Sequence, residues 1–256
     1  MTKQKTVAMI QARMGSSRLP GKILLPLAGK PAISHVFERV KKIKNVDQVV
    51  LLTSTSSKEN PLIELCRKQN YEVFRGSEND VLDRYYQAAV FYEADIIVRI
   101  TGDCPLIDPI ESSKVVQKLQ ATAADYCSNT NPPFLPDGLD TEAFTFDALK
   151  RAWHSAVLQQ EREHVTLLMY SNPKVFSVQS ITNISNQSGF RLTLDEKQDY
   201  TVLKIVFDHL KAERKFGYLN EVLDLLKRFP EIPRINQHIF RNEGLESTDL
   251  KIRDTK

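Results

Sequence analysis

Four stretches of the chain concentrate residues that can do chemistry. The first is "VAMIQARMGSSRLPGK", residues 7–22, where an apolar run turns abruptly into a loop carrying Arg13, Arg18 and Lys22, with Ser16, Ser17, Gly15 and Gly21. Backbone N–H groups, hydroxyls and cations at this density suit a polyphosphate, and glycine permits close backbone approach and positive φ. The spacing is neither G-x-G-x-x-G nor G-x-x-x-x-G-K-[ST], so the loop is neither a dinucleotide fingerprint nor a P-loop. A solvated turn with incidental charge is the bland alternative. The second stretch is "TGDCPLID" (101–108), with Asp103 beside Gly102 just after an apolar run. A carboxylate there can hold a divalent cation that takes its other ligands from phosphates, or it can cap the following helix. The third is "RLTLDEKQDY" (191–200), where Asp195 and Asp199 compete for the role of second metal carboxylate and Asp195 can instead N-cap a helix. The fourth pairs "PDGLDTEAF" (136–144) with "REHVT" (162–166), clustering Asp137, Asp140, Glu142, Arg162, Glu163 and His164. His164 can equally be an ordinary histidine. No nucleophile–base–acid triad and no zinc-ligand spacing stands out.

These residues need elements to position them. "TVAMIQ" (6–11), "QVVLLTS" (48–54), "YEVFRG" (71–76) and "DIIVRIT" (95–101) read as buried strands. Between them, 31–43 spaces Ile33, Val36, Phe37, Val40 and Ile43 along one helical face, with Pro31 in the first turn. Helices are also expected over 60–70, with Asn60 as N-cap, over 79–94 and over 109–120. Strand and helix alternating at this interval predict an α/β fold, a parallel sheet with helices on both faces. Ligands in such folds bind beyond the carboxyl ends of the strands, which singles out the loops 12–22 and 102–108. The second half is less regular. Residues 129–140, with three prolines and a glycine, read as loop. Residues 144–156, 160–173, 197–210 and 219–229 read as helices, 174–181 and 190–195 as strands, and the tail after about 235 as polar and loosely ordered.

Composition sets bounds. The 256 residues are enough for one sizeable core. Hydrophobic residues at 41% and charged residues at 26% are ordinary for a globular protein. A net charge of +3, from 35 basic and 32 acidic residues, argues against a nucleic-acid or membrane partner. Cys66, Cys104 and Cys127, odd in number and widely spaced, fit a reducing cytoplasm rather than a disulfide framework. The N-terminal apolar run is too short for a signal peptide, and nothing approaches the roughly 18 apolar residues of a membrane span.

"IQARMGSSRLPGKILLPLAGKPAISHVFERV" (10–40) resembles the opening signature of the cytidylyltransferases that activate sugar acids as CMP derivatives. Their octulosonate branch has the pattern A-R-x-x-S-x-R-L-P-G-K-x-L followed by a G-K-P helix start. The match runs through Ala12, Arg13, Ser16, Arg18, Leu19, Pro20, Gly21, Lys22 and Leu24, then Gly29, Lys30 and Pro31. "GDCPLID" resembles the family's G-D-x-P-L-I metal motif, while "RGSENDVLDRYYQAA", "PDGLDTEAF", "REHVT" and "RLTLDEKQDY" are similar to the spore-coat polysaccharide branch. The resemblance spans most of residues 5–205.

The resemblance implies a Rossmann-like nucleotide-diphospho-sugar transferase fold with a mixed, mostly parallel sheet. It implies one nucleotidyltransferase domain over 1–256, with 130–185 as an acceptor-binding segment that also serves dimer contact. It implies the reaction of CTP with a sugar acid to give CMP-sugar and pyrophosphate, with Mg²⁺ as cofactor, in a cytoplasmic homodimer. Carried over by position, nucleotide contacts fall at Gln11, Ala12, Arg13, Met14, Gly15, Ser16, Arg18, Lys22, Arg75, Thr101, Gly102 and Asp103. Arg18, Lys22 and Asp103 become the catalytic set, Asp103 and Asp195 the metal carboxylates, and Asp140, Glu142, Arg162 and His164 the acceptor contacts. Two departures stand out: Thr101 where the octulosonate enzymes have Gln, and Glu196-Lys197 where they usually have Thr-Pro. Rival readings are an acceptor that is a phosphorylated sugar, alditol or small phosphate ester, a non-catalytic nucleotide-binding protein, and a glycosyltransferase. The chain has no Asp-x-Asp tripeptide to support the last.

Overall fold

The computed structural model describes residues 4–182 and 185–241, so the tail beyond 241 lies outside the described residues. Its first strand is β1 (Thr6–Gln11), preceding a small ribbon of β2 (Pro26–Leu27) and β3 (Lys30–Pro31). The first half continues through α1 (Ala32–Val40), β4 (Gln48–Ser54), α2 (Asn60–Lys68), β5 (Glu72–Gly76), α3 (Val81–Phe91), β6 (Ile96–Thr101) and α4 (Pro109–Thr122). The second half adds β7 (Tyr126–Ser128), β8 (Glu142–Thr145), α5 (Phe146–Ser155), α6 (Gln159–Glu163), α7 (Leu167–Ser171) and β9 (Val178–Ser180). It ends with α8 (Lys197–Ala212), α9 (Leu219–Arg228) and α10 (Glu231–Arg234).

Seven strands form one sheet in the order β5-β4-β1-β6-β8-β7-β9. Neighbours are parallel except around β8, which runs against both β6 and β7. This is the mixed, mostly parallel sheet expected. Alternation along β1 shows why both faces carry helices. Val7 and Met9 enter a core with Leu82 and Tyr85 of α3 and Leu149 of α5. Ala8 and Ile10 enter the opposite core with Val36 and Phe37 of α1, Leu62 of α2 and Val116 of α4. A strand buried on both faces has no polar side to spare, hence its continuous apolar run.

A third cluster seats the C-terminal helices: Leu203, Val206 and Leu210 of α8 meet Leu223 and Leu226 of α9 over Leu27, Leu192 and Leu194. This corrects the expected strand over 190–195. Residues there make only an isolated bridge, Asp137 with Arg191, because Leu192 and Leu194 are held by this cluster rather than by a ladder. The helix expected over 160–173 is also broken. α6 ends at Glu163, and Val165 sits at φ 49° before α7 begins, a conformation that a β-branched residue adopts only under strain.

The 190–195 segment is seated against Gly138, whose φ is 98°. A Cβ at Gly138 would lie 2.5 Å from the Leu192 carbonyl carbon and 2.6 Å from the Thr193 nitrogen. Gly138→Ala is therefore predicted to lower stability by about 2 kcal/mol or more, measured as the urea unfolding midpoint. An unchanged midpoint would contradict this close backbone packing.

Candidate active site

β1 and β6 end level with each other, Gln11 opposite Thr101, so the loops that follow them emerge side by side. Gly102 makes their closeness possible. Its N–H donates to the Gln11 carbonyl at 2.8 Å, and a Cβ on it would meet the Ala12 Cβ at 2.8 Å and Gln11 O at 3.2 Å. The first loop is anchored at its start by Glu59, a buried carboxylate that accepts from the Met14 N–H at 2.9 Å and the Thr53 hydroxyl at 3.0 Å. It turns at Gly21, φ 68°, into a single 3-10 turn, Lys22–Leu24, that aims Lys22 back across the sheet end. A third segment arrives from the 190–195 loop, whose Leu194 N–H donates to the Asp103 carbonyl at 2.8 Å.

These segments converge on one ammonium. Lys22 Nζ lies 2.7 Å from Asp103 Oδ2 and 2.6 Å from Asp195 Oδ1. Burial pulls the Lys22 pKa down, but the two carboxylates outweigh it and the net shift is upward, so the side chain stays charged. Arg18 approaches Asp195 at 3.4 Å and Glu196 at 3.1 Å. Behind Asp195 lies Arg191, which donates to Asp195 at 3.3 Å, Asp137 at 2.8 Å and both Asp199 oxygens at 2.9 and 3.0 Å.

Geometry separates Asp195 from Asp199. Asp199 is fully buried, and its carboxylate accepts from Arg191, from Asn236 and from the N–H groups of Asp195 and Glu196 that open α8. It caps and braces; it has no face toward the cleft. Asp195, instead of capping the helix, points its oxygens at Lys22, Arg18 and Arg191.

A cleft of about 360 Å³ opens over these groups, lined by Gln11, Ala12, Arg13, Ser16, Arg18, Lys22, Thr101, Gly102, Asp103 and Asp195, together with Glu78, Arg84, Arg99, Glu163 and His164 among others. A second cleft of about 380 Å³ adjoins it, lined by Thr130, Asn131, Pro133, Asp140, Glu142, Thr166, Tyr170 and Arg241. Arg99, Thr101 and His164 line both. His164 owes its place to the break after α6, and burial lowers its pKa from the ordinary 6.5, favouring the neutral ring.

Several expected residues are turned away from the clefts or are already engaged there. Arg75 turns away to the carbonyls of Ser54 and Ser56, at 3.1 and 3.0 Å. Met14 packs against the core instead, and Gly15 does not line the cleft. Arg162 reaches the Asp80 carboxylate at 3.4 Å and the Ala156 carbonyl at 3.2 Å, joining α6 to the start of α3. Glu142 lines the second cleft, but its carboxylate is already bonded to Arg99, Tyr126 and Thr166. Asp140 is gripped by Arg241. Sequence reading missed Arg84 and Arg99. The second had a signal, a lone charge inside the apolar strand "DIIVRIT".

A family model for cytidylyltransferases matches residues 7–243. The chain belongs to the cytidylyltransferase family. The spore coat polysaccharide biosynthesis protein SpsF of Bacillus subtilis is 34% identical over 229 residues, 87% of this chain and 94% of its own length. A 3-deoxy-manno-octulosonate cytidylyltransferase of Escherichia coli is 37% identical over 123 residues, 45% of this chain and 46% of that one. Among solved structures, a cytidylyltransferase from Leptospira borgpetersenii superposes with a TM-score of 0.86 at 34% identity, covering 93% of this chain and 100% of that one. Among the described residues no helix is long and apolar enough to cross a membrane. Cys66, Cys104 and Cys127 are all buried and free.

The Lys22 clamp has a pH signature. Burial by itself raises the Asp103 pKa, but the Lys22 charge, the Lys22 hydrogen bond and the Thr101 hydroxyl outweigh it and hold the carboxyl below the ordinary 3.8. The native state therefore releases this proton more readily than the unfolded chain. The resulting stabilisation is complete above pH about 3.8 and is lost as the pH falls below that. Asp103→Asn should consequently lose less stability than the parent protein between about pH 5 and about pH 3, measured by urea unfolding at each pH. Parallel acid limbs would contradict the pairing.

Proposed function

We propose that this cytidylyltransferase transfers the cytidylyl group of CTP to a sugar acid, releasing pyrophosphate and forming a CMP-sugar. The observation that carries the reading is the pair of adjoining clefts with one shared wall. A triphosphate laid along the first and an acceptor held in the second meet at Arg99, Thr101 and His164. The sugar-acid class is supported by the octulosonate cytidylyltransferase relative and by the matching loop from Ala12 to Pro31.

In this reaction an acceptor hydroxyl attacks the α-phosphorus, the bond to the bridging oxygen breaks, and negative charge grows on the departing pyrophosphate. Fixed cations stabilise that developing charge more than they stabilise bound CTP, which lowers the barrier. Lys22 is suited to this because it is nearly enclosed, 11% exposed, and remains charged. Arg18, more open at 44%, supplies the outer cation. His164, at the junction and favoured neutral, accepts the proton that the attacking hydroxyl gives up.

Asp103 and Asp195 fit Mg²⁺. Both are hard oxygen donors and both reach the same Lys22 nitrogen, so they face one cationic point. Among the described residues no cluster of three or more His, Cys, Asp or Glu forms a ready metal cage; Mg²⁺ is commonly held by one or two carboxylates plus substrate phosphates. Bound there, the ion would neutralise triphosphate charge.

Two measurements test the reading. Thermal shifts with CTP, UTP, ATP and GTP, each with Mg²⁺, should show the largest stabilisation for CTP, since a ligand stabilises the native state as ln(1 + [L]/Kd). Equal shifts for all four nucleotides would defeat it. Lys22→Ala and Asp103→Ala should each lower pyrophosphate release with a sugar-acid acceptor by about 100-fold or more. Near-normal turnover of Asp103→Ala would remove that carboxylate from the mechanism.

A further inference from the structure

Arg99 is the residue that the sheet has least reason to contain. It sits on β6 between Val98 and Ile100, both fully buried, and its own side chain is 17% exposed. A guanidinium in such a place carries a large desolvation penalty unless it is paired. Its partner is set by register: Glu142 lies directly opposite on β8, and its carboxylate takes the Arg99 Nη1.

The two halves of the pair are unequally satisfied. Glu142 has one oxygen on Arg99, and the other accepts from the hydroxyls of Tyr126 and Thr166, each at 2.6 Å. It has nothing to offer a ligand and every reason to stay where it is. Arg99 is held firmly by Glu142 and more loosely elsewhere, with the Tyr85 hydroxyl among its neighbours. Nη2 reaches the Gln11 side-chain oxygen only at 3.4 Å, and Nε is buried without a hydrogen-bond partner. Nε and Nη2 share one edge of the guanidinium fork, the kind of edge that takes a carboxylate or phosphate. A buried donor left unmet calls for a partner not yet present.

The position of Arg99 narrows the partner. Arg99 lines both clefts, so the part of an acceptor that it meets is the part nearest the first cleft, next to the reacting hydroxyl. In an ulosonic acid the carboxylate is borne by the same carbon as that hydroxyl. We propose that Arg99 is the specificity-determining residue of the acceptor site, taking the carboxylate carried on the reacting carbon, with Glu142, Tyr126 and Thr166 holding its guanidinium in place. This rests on the sugar-acid reading given above and names how that acid is told from a neutral sugar.

The test measures pyrophosphate release from CTP by the full chain with a panel of octulosonic and nonulosonic acids and the methyl ester of each. The parent protein should prefer acid over ester by about 100-fold or more in kcat/KM. Arg99→Gln should raise the acceptor KM by about 100-fold while leaving the KM for CTP within about threefold, and should erase the acid–ester preference. Arg99→Lys should recover only part of the loss, because an ammonium cannot pair side-on. Arg99→Gln strands the buried Glu142 charge, so Arg99→Gln/Glu142→Gln, which removes both charges, supplies the same readout if the single variant does not fold. An unchanged acid–ester ratio in these variants, with the parent using the acids, overturns the role of Arg99 alone. Turnover of phosphorylated sugars but of no acid by the parent overturns the sugar-acid reading and this inference together.

Discussion

The contact between one lysine and two aspartates organises this molecule. Lys22 arrives from the loop after β1, Asp103 from the loop after β6, and Asp195 from the segment before α8. These groups are far apart in sequence, and two of them would repel each other without the third. Burial alone would push the Asp103 carboxyl toward its protonated form; the Lys22 ammonium beside it outweighs that and holds its pKa below the ordinary value. The arrangement therefore gathers one ammonium and two carboxylates at the end of the sheet where α/β folds place their ligands.

The surrounding structure can be understood as support for that contact. Gly102 lets two strand-end loops touch, and Gly138 lets the 190–195 segment lie against the loop before β8. Arg191 gathers Asp137, Asp195 and Asp199 so that Asp195 faces outward and Asp199 does not. Arg191 has little freedom, being fixed from three directions at 6% exposure. The rigidity is useful, because electrostatic stabilisation of a transition state depends on charges that need not rearrange during the reaction.

A second polar network, Arg99 with Glu142, Tyr126 and Thr166, lies at the seam between the clefts. It forms where β8 reverses the sheet direction. The antiparallel insertion thus does more than extend the sheet: it sets an acidic residue opposite a strand arginine, and Glu142 lines the second cleft where it adjoins the first. The strained Val165 turns the chain there, putting His164 at the seam and Thr166 onto Glu142.

Periodicity alone located β1, β4, β5 and β6 with their helices, because a sheet covered on both faces demands unbroken apolar runs. The loop from Ala12 to Lys22 was likewise legible as a strand-end loop rich in glycine, hydroxyls and cations, and it lines the first cleft. Local patterns could not tell Asp195 from Asp199, nor separate Arg99 from Arg75 and Arg162. Those distinctions depend on what each side chain meets across the fold: two serine carbonyls for Arg75, Asp80 for Arg162, Glu142 and the walls of both clefts for Arg99. Nor could apolar alternation show that 190–195 would be held by a neighbouring helix cluster and not by a strand. The sequence determined the elements and the chemistry available at their ends; tertiary packing decided which charges converge, because a long-range pair is chosen by burial and register rather than by neighbours in the chain.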